Sequence, residues 1–377
     1  MARRRGNGEG TITKRKDGRW EARYVVHTDR GVKRRVLYGK TRKEVADKLA
    51  KTLADRADGL VYDDENTSLG DYLDAWLKGS VRGSVRESTF DRYEIAVRVH
   101  IKPALGRLKL KKLTPAHVQR FYRDRLDAGF APASVNKLHV VLHKALKQAV
   151  EWHMVPRNVA GLAKAPRPSA TKEISPLSAE EARRLLEAAH GHRLEALYVL
   201  AVHTGMRQGE LLALKWQDVD LENATLSVRR TITKSGGRLL LGEPKTRKSR
   251  RTIDLTEASV EALREHLARQ TEEVTILGDR YKDAGLVFTS EVGTLINPTN
   301  LRRRSFASLL EKAKVPRVRF HDLRHTCASL LFSRNVHPKE VQELLGHANI
   351  SITLDTYSHV IPGMRDRAAR AMEDALS

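Results

Sequence analysis

Hydrophobic positions near the start of the chain alternate with polar ones. The alternation over 20–26 is typical of a half-buried strand, a second run over 32–38 predicts its neighbour, and 11–14 can add a third strand. A capping-box sequence at 41–44 then predicts a helix with an apolar face. Residues 1–62 are therefore expected to form a small three-stranded β-sheet followed by a helix.

A helical spacing replaces this alternation from residue 68 to about residue 160. Apolar residues recur there every three or four positions and predict four helices. We expect Ser88 to cap the second helix and Thr114 the third, which should end at Gly129. The fourth should begin at Pro132. This region is predicted to be an all-α bundle.

Two stretches of loop-forming residues divide the chain. One is the acidic run 63–66, and the other is 156–169, which contains three prolines. They predict an all-α domain over 66–160, a linker over 161–173 and a last domain over 174–377.

The last domain is predicted to be mixed and mainly helical, with a small antiparallel sheet. A capping box at 178–181 opens its first helix, and an apolar helix over 194–203 ends before Gly205. Strand patterns cover 225–233 and 250–255. With the two regions before it, this makes the expected fold class multidomain α+β.

Three short helices are predicted close to the C-terminal end. One begins just after His321, and Pro338 is a good first residue for the next. Gly346 sits where that second helix should stop. Ser351 is expected to cap the third helix, which carries Tyr357 near its end.

The net charge of +23 indicates that the protein binds a negatively charged partner. Residues 1–60 contain 18 Lys and Arg against 8 Asp and Glu, and residues 68–160 contain 17 against 8. Such an excess implies a polyanion, either nucleic acid or an acidic membrane surface. The sequence has no apolar run long enough to span a bilayer and no signal peptide, which favours nucleic acid. Aromatic residues make up only 5% of the chain, which favours duplex over single strands.

Cys327 is the only cysteine in the chain, so no internal disulfide can form. Its place on an apolar helix face predicts a small core residue rather than a reactive thiol. Such cysteine usage fits a reducing compartment, and we expect the protein to act in the cytoplasm.

Residues suited to phosphate chemistry gather at the starts and ends of the last three predicted helices. Arg324 is the side-chain type that grips a phosphate with two parallel hydrogen bonds. His321 and His347 can donate to a phosphate oxygen or move a proton, and Tyr357 can be a nucleophile. Taken singly, the tyrosine is more often a packing residue and the arginine a surface salt-bridge partner. His321 and His325 are spaced like a metal pair, but no suitably spaced third ligand completes that site.

Four motifs follow one another along the second half of the chain. They are Thr-Gly-Met-Arg-Gln-Gly-Glu at 204–210, a hairpin sequence with Pro-Lys-Thr and Arg-Thr-Ile at 244–253, and His-Asp-Leu-Arg-His at 321–325. Leu-Gly-His at 345–347 completes the set, with Tyr357 ten residues after its histidine. In this order they resemble the motifs of the tyrosine recombinase family, and of its phage-integrase branch in particular.

The resemblance implies a role for each motif residue. Tyr357 would attack the scissile phosphate, form a 3′-phosphotyrosyl bond and release a 5′ hydroxyl. Arg207 and Arg324 would neutralise the phosphate oxygens in the pentavalent transition state. Lys245 would protonate the leaving oxygen.

The remaining roles implied by the resemblance belong to two histidines and a glutamate. His321 would take the tyrosine proton or help to hold the phosphate, and His347 would donate to a phosphate oxygen. Glu210 would orient the arginine and histidine side chains. Because the covalent bond conserves the phosphodiester energy, no cofactor and no metal are expected.

The same resemblance implies DNA partners and site-specific recombination that integrates or excises a phage or other mobile element. Residues 1–62 resemble an arm-type DNA-binding domain, and 66–160 resemble a core-binding domain that closes over the duplex. The expected partners are double-stranded DNA at crossover and arm-type sites, a homotetramer on that DNA, and a DNA-bending or directionality protein. The expected location is the nucleoid in the cytoplasm of a bacterial host. A last helix is expected from Pro362, and it would dock either on its own domain or, as the resemblance implies, on a neighbouring protomer. The cations expected to contact DNA are Arg19, Arg23, Lys33, Arg34, Arg35, Arg247, Lys248 and Arg250, and Arg251 shares their ordinary backbone-binding interpretation.

Two other functions stay open at this point. A type IB topoisomerase uses the same chemistry but rejoins the same strand; the basic N-terminal module argues against it, because a relaxing enzyme needs no second class of DNA site. A non-catalytic DNA-binding regulator is the other alternative. The presence of every catalytic residue type argues against that reading.

Overall fold

The chain divides into two compact units, Met1–Thr171 and Lys172–Ser377. Among the described helices, none has both the length and the apolar content that a membrane span requires.

The computed structural model describes residues 10–28, 31–57, 67–167, 176–243, 250–357, 372–374 and 376. Outside these ranges lie residues 29–30 between the strand patterns at 20–26 and 32–38, the acidic run at 63–66, the second half of the linker at 161–173, the hairpin residues 244–249 and the tail over 362–371.

The first unit begins with the predicted three-stranded sheet and helix, and both are confirmed. The strands are β1 (Thr11–Lys14), β2 (Trp20–Thr28) and β3 (Gly31–Gly39), and the helix is α1 (Arg42–Ala57). The strands are antiparallel in the order β1-β2-β3. Alternation along β2 turns Ala22 and Tyr24 toward α1, where they pack with Val45 and Leu49.

An all-α bundle follows, as predicted. Its helices are α2 (Leu69–Trp76), α3 (Glu87–Ile95), α4 (Lys102–Leu105), α5 (Pro115–Asp127) and α6 (Pro132–Glu151). Wider π turns extend α2 to Val81 and join α3 to α4. Trp76, Tyr122 and Leu142 are buried in its core. Thr114 caps α5 as predicted.

Two boundary predictions in this bundle are wrong. The helix α3 begins one residue before Ser88, and the extended backbone of Arg86 makes that residue the capping position. The stretch of loop-forming residues at 156–169 begins too early, because Asn158 caps a short 3-10 turn and Ala160 is buried in the bundle core. Prolines mark where a helix stops, but they do not show where packing stops.

The second unit is mixed and mainly helical, with small antiparallel sheets, as predicted. Its helices are α7 (Ala179–Ala189), α8 (Glu195–Thr204), α9 (Gln208–Leu211), α10 (Glu257–Leu277), α11 (Pro298–Asn300), α12 (Ala307–Lys312), α13 (Asp322–Ser333), α14 (Pro338–Leu345) and α15 (Ile350–Tyr357). Its strands are β4 (Val219–Asp220), β5 (Thr225–Val228), β6 (Thr231–Ser235), β7 (Arg238–Gly242) and β8 (Arg251–Asp254). The helix α8 is buried along almost its whole length, and α7, α10 and α13 pack around it.

The single strand predicted over 225–233 is two strands in different sheets. β5 pairs with β4 and β8, while β6 forms a hairpin with β7. Arg229 and Arg230 lie at the break, and both pair with the buried carboxylate of Asp218. This pairing redirects the chain where alternation alone predicts a straight continuation.

The helix ends near the C-terminus fall largely where the sequence predicts them. The helix α13 begins after His321, and α14 begins at Pro338 and ends at Gly346, which is left-handed with a φ of 66°. The predicted cap of α15 is wrong. The Oδ1 of Asn349 accepts from the amide of Ser351, so the asparagine makes the turn that opens this helix.

Candidate active site

Arg207 lies at the N-terminus of α9 and is held by Glu210. The Arg207 amide donates to Glu210 Oε2 (3.1 Å) and its Nη1 donates to Oε1 (2.8 Å). Glu210 is buried, whereas the Arg207 side chain is 37% exposed, so the arginine is anchored at one edge and open to a ligand. Gly205 makes this turn feasible: its φ is 58°, and a Cβ there would lie 2.6 Å from Leu345 Cδ2.

Arg324 joins this turn to the second arginine motif. It lies in the first turn of α13 and is only 3% exposed. Its Nη1 donates to the carbonyl of Gly205 (2.8 Å) and its Nη2 to the carbonyl of Leu345 (2.6 Å). One buried guanidinium therefore ties the end of α8 to the end of α14. The alternative prediction that Arg324 is a surface salt-bridge partner is therefore wrong.

His347 follows α14, after the turn at Gly346. Its Nδ1 is 2.8 Å from the Oγ1 of Thr353, a fully buried residue of α15. The other ring nitrogen, Nε2, is the one that could contact a ligand. Burial, and then the positive charges of Arg324 and Arg207, lower the pKa of His347 to about 3. The ring is therefore neutral near pH 7.

His321 and His325 lie side by side at the start of α13, with ring centroids 5.4 Å apart. Burial, followed by the charges of Arg324 and Arg207, lowers the pKa of His321. Burial, followed by the neighbouring His321, lowers the pKa of His325 to about 4. A neutral imidazole can accept a proton. Among the described residues, no three His, Cys, Asp or Glu side chains are grouped so as to hold a metal ion.

The remaining predicted residues lie partly or wholly outside the described part of the chain. Tyr357 is the last residue of α15, one helical turn after Thr353, and only its backbone is described. Lys245 belongs to the connection between β7 and β8, with Arg247 and Lys248, and all three lie outside the described residues. The predicted residues that the structure brings together are Arg207, Glu210, His321, Arg324 and His347.

Comparison with known proteins points to one family. Residues 176–363 match the model of the Phage integrase family, and residues 68–126 match the Phage integrase, N-terminal SAM-like domain. A protein named Tyrosine recombinase XerC-like, from Caldanaerobacter subterraneus subsp. tengcongensis, is 37% identical over 359 residues, which cover 90% of this chain and 92% of that protein. The chain belongs to the phage integrase family of tyrosine recombinases.

A second relative agrees with this tyrosine recombinase assignment, and a solved structure shares the fold. An integrase of Streptomyces ambofaciens is 31% identical, with 99% of this chain and 98% of that protein covered. The fold is that of the Tn1549 transposon integrase, solved in complex with transposon right end DNA, with a TM-score of 0.69 at 21% identity over 82% of this chain and 100% of that chain. As a member of this family, the chain is a site-specific DNA recombinase.

Arg251, the first residue of β8, is a residue of the recombinase site that the motifs do not single out. The motifs place Arg251 among the surface cations of the hairpin. Its side chain is only 7% exposed, with Nη2 3.2 Å from Glu210 Oε2 and Nε donating to the carbonyl of Leu344 (2.5 Å). Strand alternation is the signal that could have found it, because Ile253, two residues later, is buried on the same side of β8.

The cations predicted on the N-terminal sheet of the recombinase are partly described. The side chains of Arg19 and Arg23 are 66% and 65% exposed. Arg23 lies 2.7 Å from Glu21, a glutamate that is itself buried although it points away from α1. Of the other predicted DNA contacts, Arg34 and Arg250 are exposed, and the side chains of Lys33 and Arg35 lie outside the described residues.

Proposed function

We propose that this recombinase cleaves and rejoins DNA through a phosphotyrosyl bond on Tyr357, and thereby integrates or excises a phage or other mobile element. The observation that carries the proposal is the convergence of Arg207, Arg324 and His347 at the ends of three helices. Two guanidinium groups and an imidazole donor suit the anionic oxygens of a phosphodiester. The next helix, α15, ends at Tyr357.

In the cleavage step, the Tyr357 oxygen attacks the phosphorus and the bond from phosphorus to the 5′ oxygen breaks. Neutral His321 accepts the phenolic proton, and Lys245 gives a proton to the leaving 5′ oxygen. Arg207 and Arg324 neutralise the charge that builds up on the two nonbridging oxygens. The products are a 3′-phosphotyrosyl bond and a free 5′ hydroxyl.

His347 supports the phosphate from its Nε2 atom. When Nε2 carries the proton, Nδ1 has none and accepts a hydrogen bond from the Thr353 hydroxyl. Thr353 and Tyr357 are four residues apart on α15 and therefore lie on the same side of that helix. The hydroxyl thus fixes the imidazole relative to the helix that carries the nucleophile.

Rejoining reverses these steps with a new partner strand. A 5′ hydroxyl from a second duplex attacks the phosphotyrosyl phosphorus, and the tyrosine oxygen leaves and regains its proton. The phosphodiester energy is conserved in the covalent bond, so strand exchange itself consumes no nucleotide.

Separate modules of the chain bind the arm-type sites, bind the crossover site and carry out catalysis. Residues 1–62 form the arm-type DNA-binding domain, 66–160 the core-binding domain, 161–173 a linker, and 174–377 the catalytic domain with its tail helix. Support comes from the excess of Lys and Arg in the first two modules and from the exposed arginines of the N-terminal sheet. The first module would then contact phosphates of the arm-type sites, and the second would contact phosphates of the crossover site.

The proposed assembly is a homotetramer on double-stranded DNA, with crossover and arm-type sites and an accessory DNA-bending or directionality protein. Met372 and Leu376 are 60% and 80% exposed, which leaves these apolar tail residues for a neighbouring protomer. The proposed location is the nucleoid in the cytoplasm.

Two assays on the same preparation test the function against its alternatives. Incubation with two attachment sites should give recombinant joints, whereas relaxation of a supercoiled plasmid that lacks such a site should be slow. Efficient relaxation without recombinants would favour the topoisomerase alternative. Tight duplex binding with neither activity would favour a non-catalytic regulator.

A further inference from the structure

Two buried arginines hold consecutive carbonyl groups at the end of α14. Arg251 Nε donates to the carbonyl of Leu344 (2.5 Å), and Arg324 Nη2 donates to the carbonyl of Leu345 (2.6 Å). Carbonyls at the end of a helix have no partner within the helix and need one from elsewhere. His347 follows this pair after the turn at Gly346, so its backbone position depends on the groups that hold these carbonyls.

The other edge of Arg251 contacts the carboxylate that holds Arg207. Arg251 Nη2 lies 3.2 Å from Glu210 Oε2, while Arg207 Nη1 donates to Oε1 of the same residue (2.8 Å). Arg251 is also packed under the turn at Gly346, where a Cβ would lie 3.1 Å from its Cδ and its Nη1. One guanidinium therefore spans from α9 to the end of α14.

We propose that Arg251 is a positioning residue that fixes the distance between Arg207 and His347. It does so by joining Glu210, which orients the arginine, to the helix end that presents the imidazole. This inference rests on the proposed function, because it gives Arg207 and His347 a shared phosphate.

Arginine suits this position because its donors point in fixed, separate directions. The Nε and Nη2 groups reach a carbonyl and a carboxylate at the same time. A lysine has a single ammonium group at the end of a flexible chain and cannot span the same two acceptors in one geometry. Arg251→Lys should therefore retain the charge but lose much of the positioning.

The first experiment measures single-turnover formation of the covalent protein–DNA adduct by the full-length chain. We expect Arg251→Met to slow this step by about 100-fold, the effect of displacing a group by about 1 Å, with little change in the Kd for duplex. Arg251→Lys should be intermediate. Arg193→Met is the matched control, because Arg193 also joins a glutamate (Glu273, 2.6 Å) to a carbonyl (Thr289, 2.7 Å) but lies outside the site.

Hydrogen exchange without DNA gives a second readout that needs no activity. The amides of Gly346 and His347 donate to carbonyls in the last turn of α14 (3.0 and 3.1 Å). Their exchange should rise about tenfold in Arg251→Met, as for loss of one buried hydrogen bond, and should stay unchanged in Arg193→Met. Wild-type exchange at these amides would overturn the proposal.

A double-mutant cycle separates positioning from general loss of stability. If Arg251 acts through the imidazole, Arg251→Met should slow adduct formation much less in a His347→Ala background than in the wild type. Fully independent effects would also overturn the proposal. If the wild type itself formed no adduct, the proposed function would fail, while the exchange measurement would still decide whether Arg251 holds the helix end.

Discussion

At the residue scale, burial beside two arginines sets the pH behaviour of the site. The pKa of His347 is about 3 in the folded chain against an ordinary value of 6.5, so the unfolded chain binds this proton first as the pH falls. His325, with a pKa of about 4, acts in the same direction. The contribution of both rings to the free energy of unfolding is therefore complete above pH 6.5 and is lost as the pH falls toward 3 to 4.

Replacement of His347 by asparagine should make stability less sensitive to acid. The wild-type Tm should drop more steeply than that of His347→Asn between pH 6.5 and pH 4, because the variant no longer has the ring whose protonation favours unfolding. Thermal unfolding at matched ionic strength measures both slopes. Identical slopes would mean that the ring is not held neutral by its surroundings.

The role of Lys245 as general acid can be separated from charge neutralisation. Lys245→Ala should slow cleavage by about 10²- to 10⁴-fold, the usual contribution of such a group. A sulfur atom at the bridging 5′ position can leave as a thiolate and needs no proton, because thiols are much stronger acids than alcohols (the cysteine thiol has a pKa of about 8.5). DNA with that substitution should restore the rate of Lys245→Ala but not of Arg207→Ala. A lysine variant that is slow on both substrates would remove Lys245 from this role.

The motifs named five residues that the structure brings together (Arg207, Glu210, His321, Arg324 and His347), but they did not predict burial. Arg250 and Arg251 are adjacent in the sequence, yet their side chains are 53% and 7% exposed. The difference depends on which side of β8 each occupies and on a contact with Leu344, 93 residues further along the chain. Contacts over such separations leave no local pattern.

At the scale of single elements, the turn after α14 requires a glycine, because Gly346 is left-handed and packs against Arg251. Gly346→Ala should lower the free energy of unfolding by about 1–2 kcal/mol, because a Cβ is disfavoured in the left-handed region. The new methyl group would also press on Arg251, so cleavage should slow beyond what the lost stability explains. Denaturant unfolding and single-turnover cleavage measure the two effects.

Gly191 provides the control for that substitution. Its φ of 74° is also left-handed, but a Cβ there meets nothing within 4 Å. Gly191→Ala should therefore lose similar stability and keep the wild-type cleavage rate. Equal cleavage rates in the two alanine variants would show that the turn at Gly346 does not control the site.

The ends of a helix were predictable where a proline or a glycine marks them in the sequence. Pro338 and Gly346 mark the two ends of α14, and both predictions are confirmed. The division of the strand pattern at 225–233 was not predictable, because it depends on ion pairs between two arginines and the buried Asp218. The cap of α15 was missed for a smaller reason, since Asn349 and Ser351 are both good capping residues.

At the scale of the whole molecule, the first module should be separable from catalysis. Deletion of residues 1–62 should abolish protection of arm-type sites and leave cleavage of a minimal crossover site intact, because the site residues all lie beyond residue 200. Footprinting on long DNA, with cleavage of a short duplex as the control, measures both. An unchanged footprint would show that this module does not bind those sites.

We expect Tyr357 to be the residue that is joined covalently to the DNA during strand exchange. The most direct measurement traps the adduct on a nicked suicide substrate and identifies the modified peptide by mass spectrometry. We predict a nucleotide on Tyr357 in the wild type and no adduct in Tyr357→Phe, which keeps duplex binding because only the phenolic oxygen is removed. An adduct on another residue, or one that survives in Tyr357→Phe, would contradict the account.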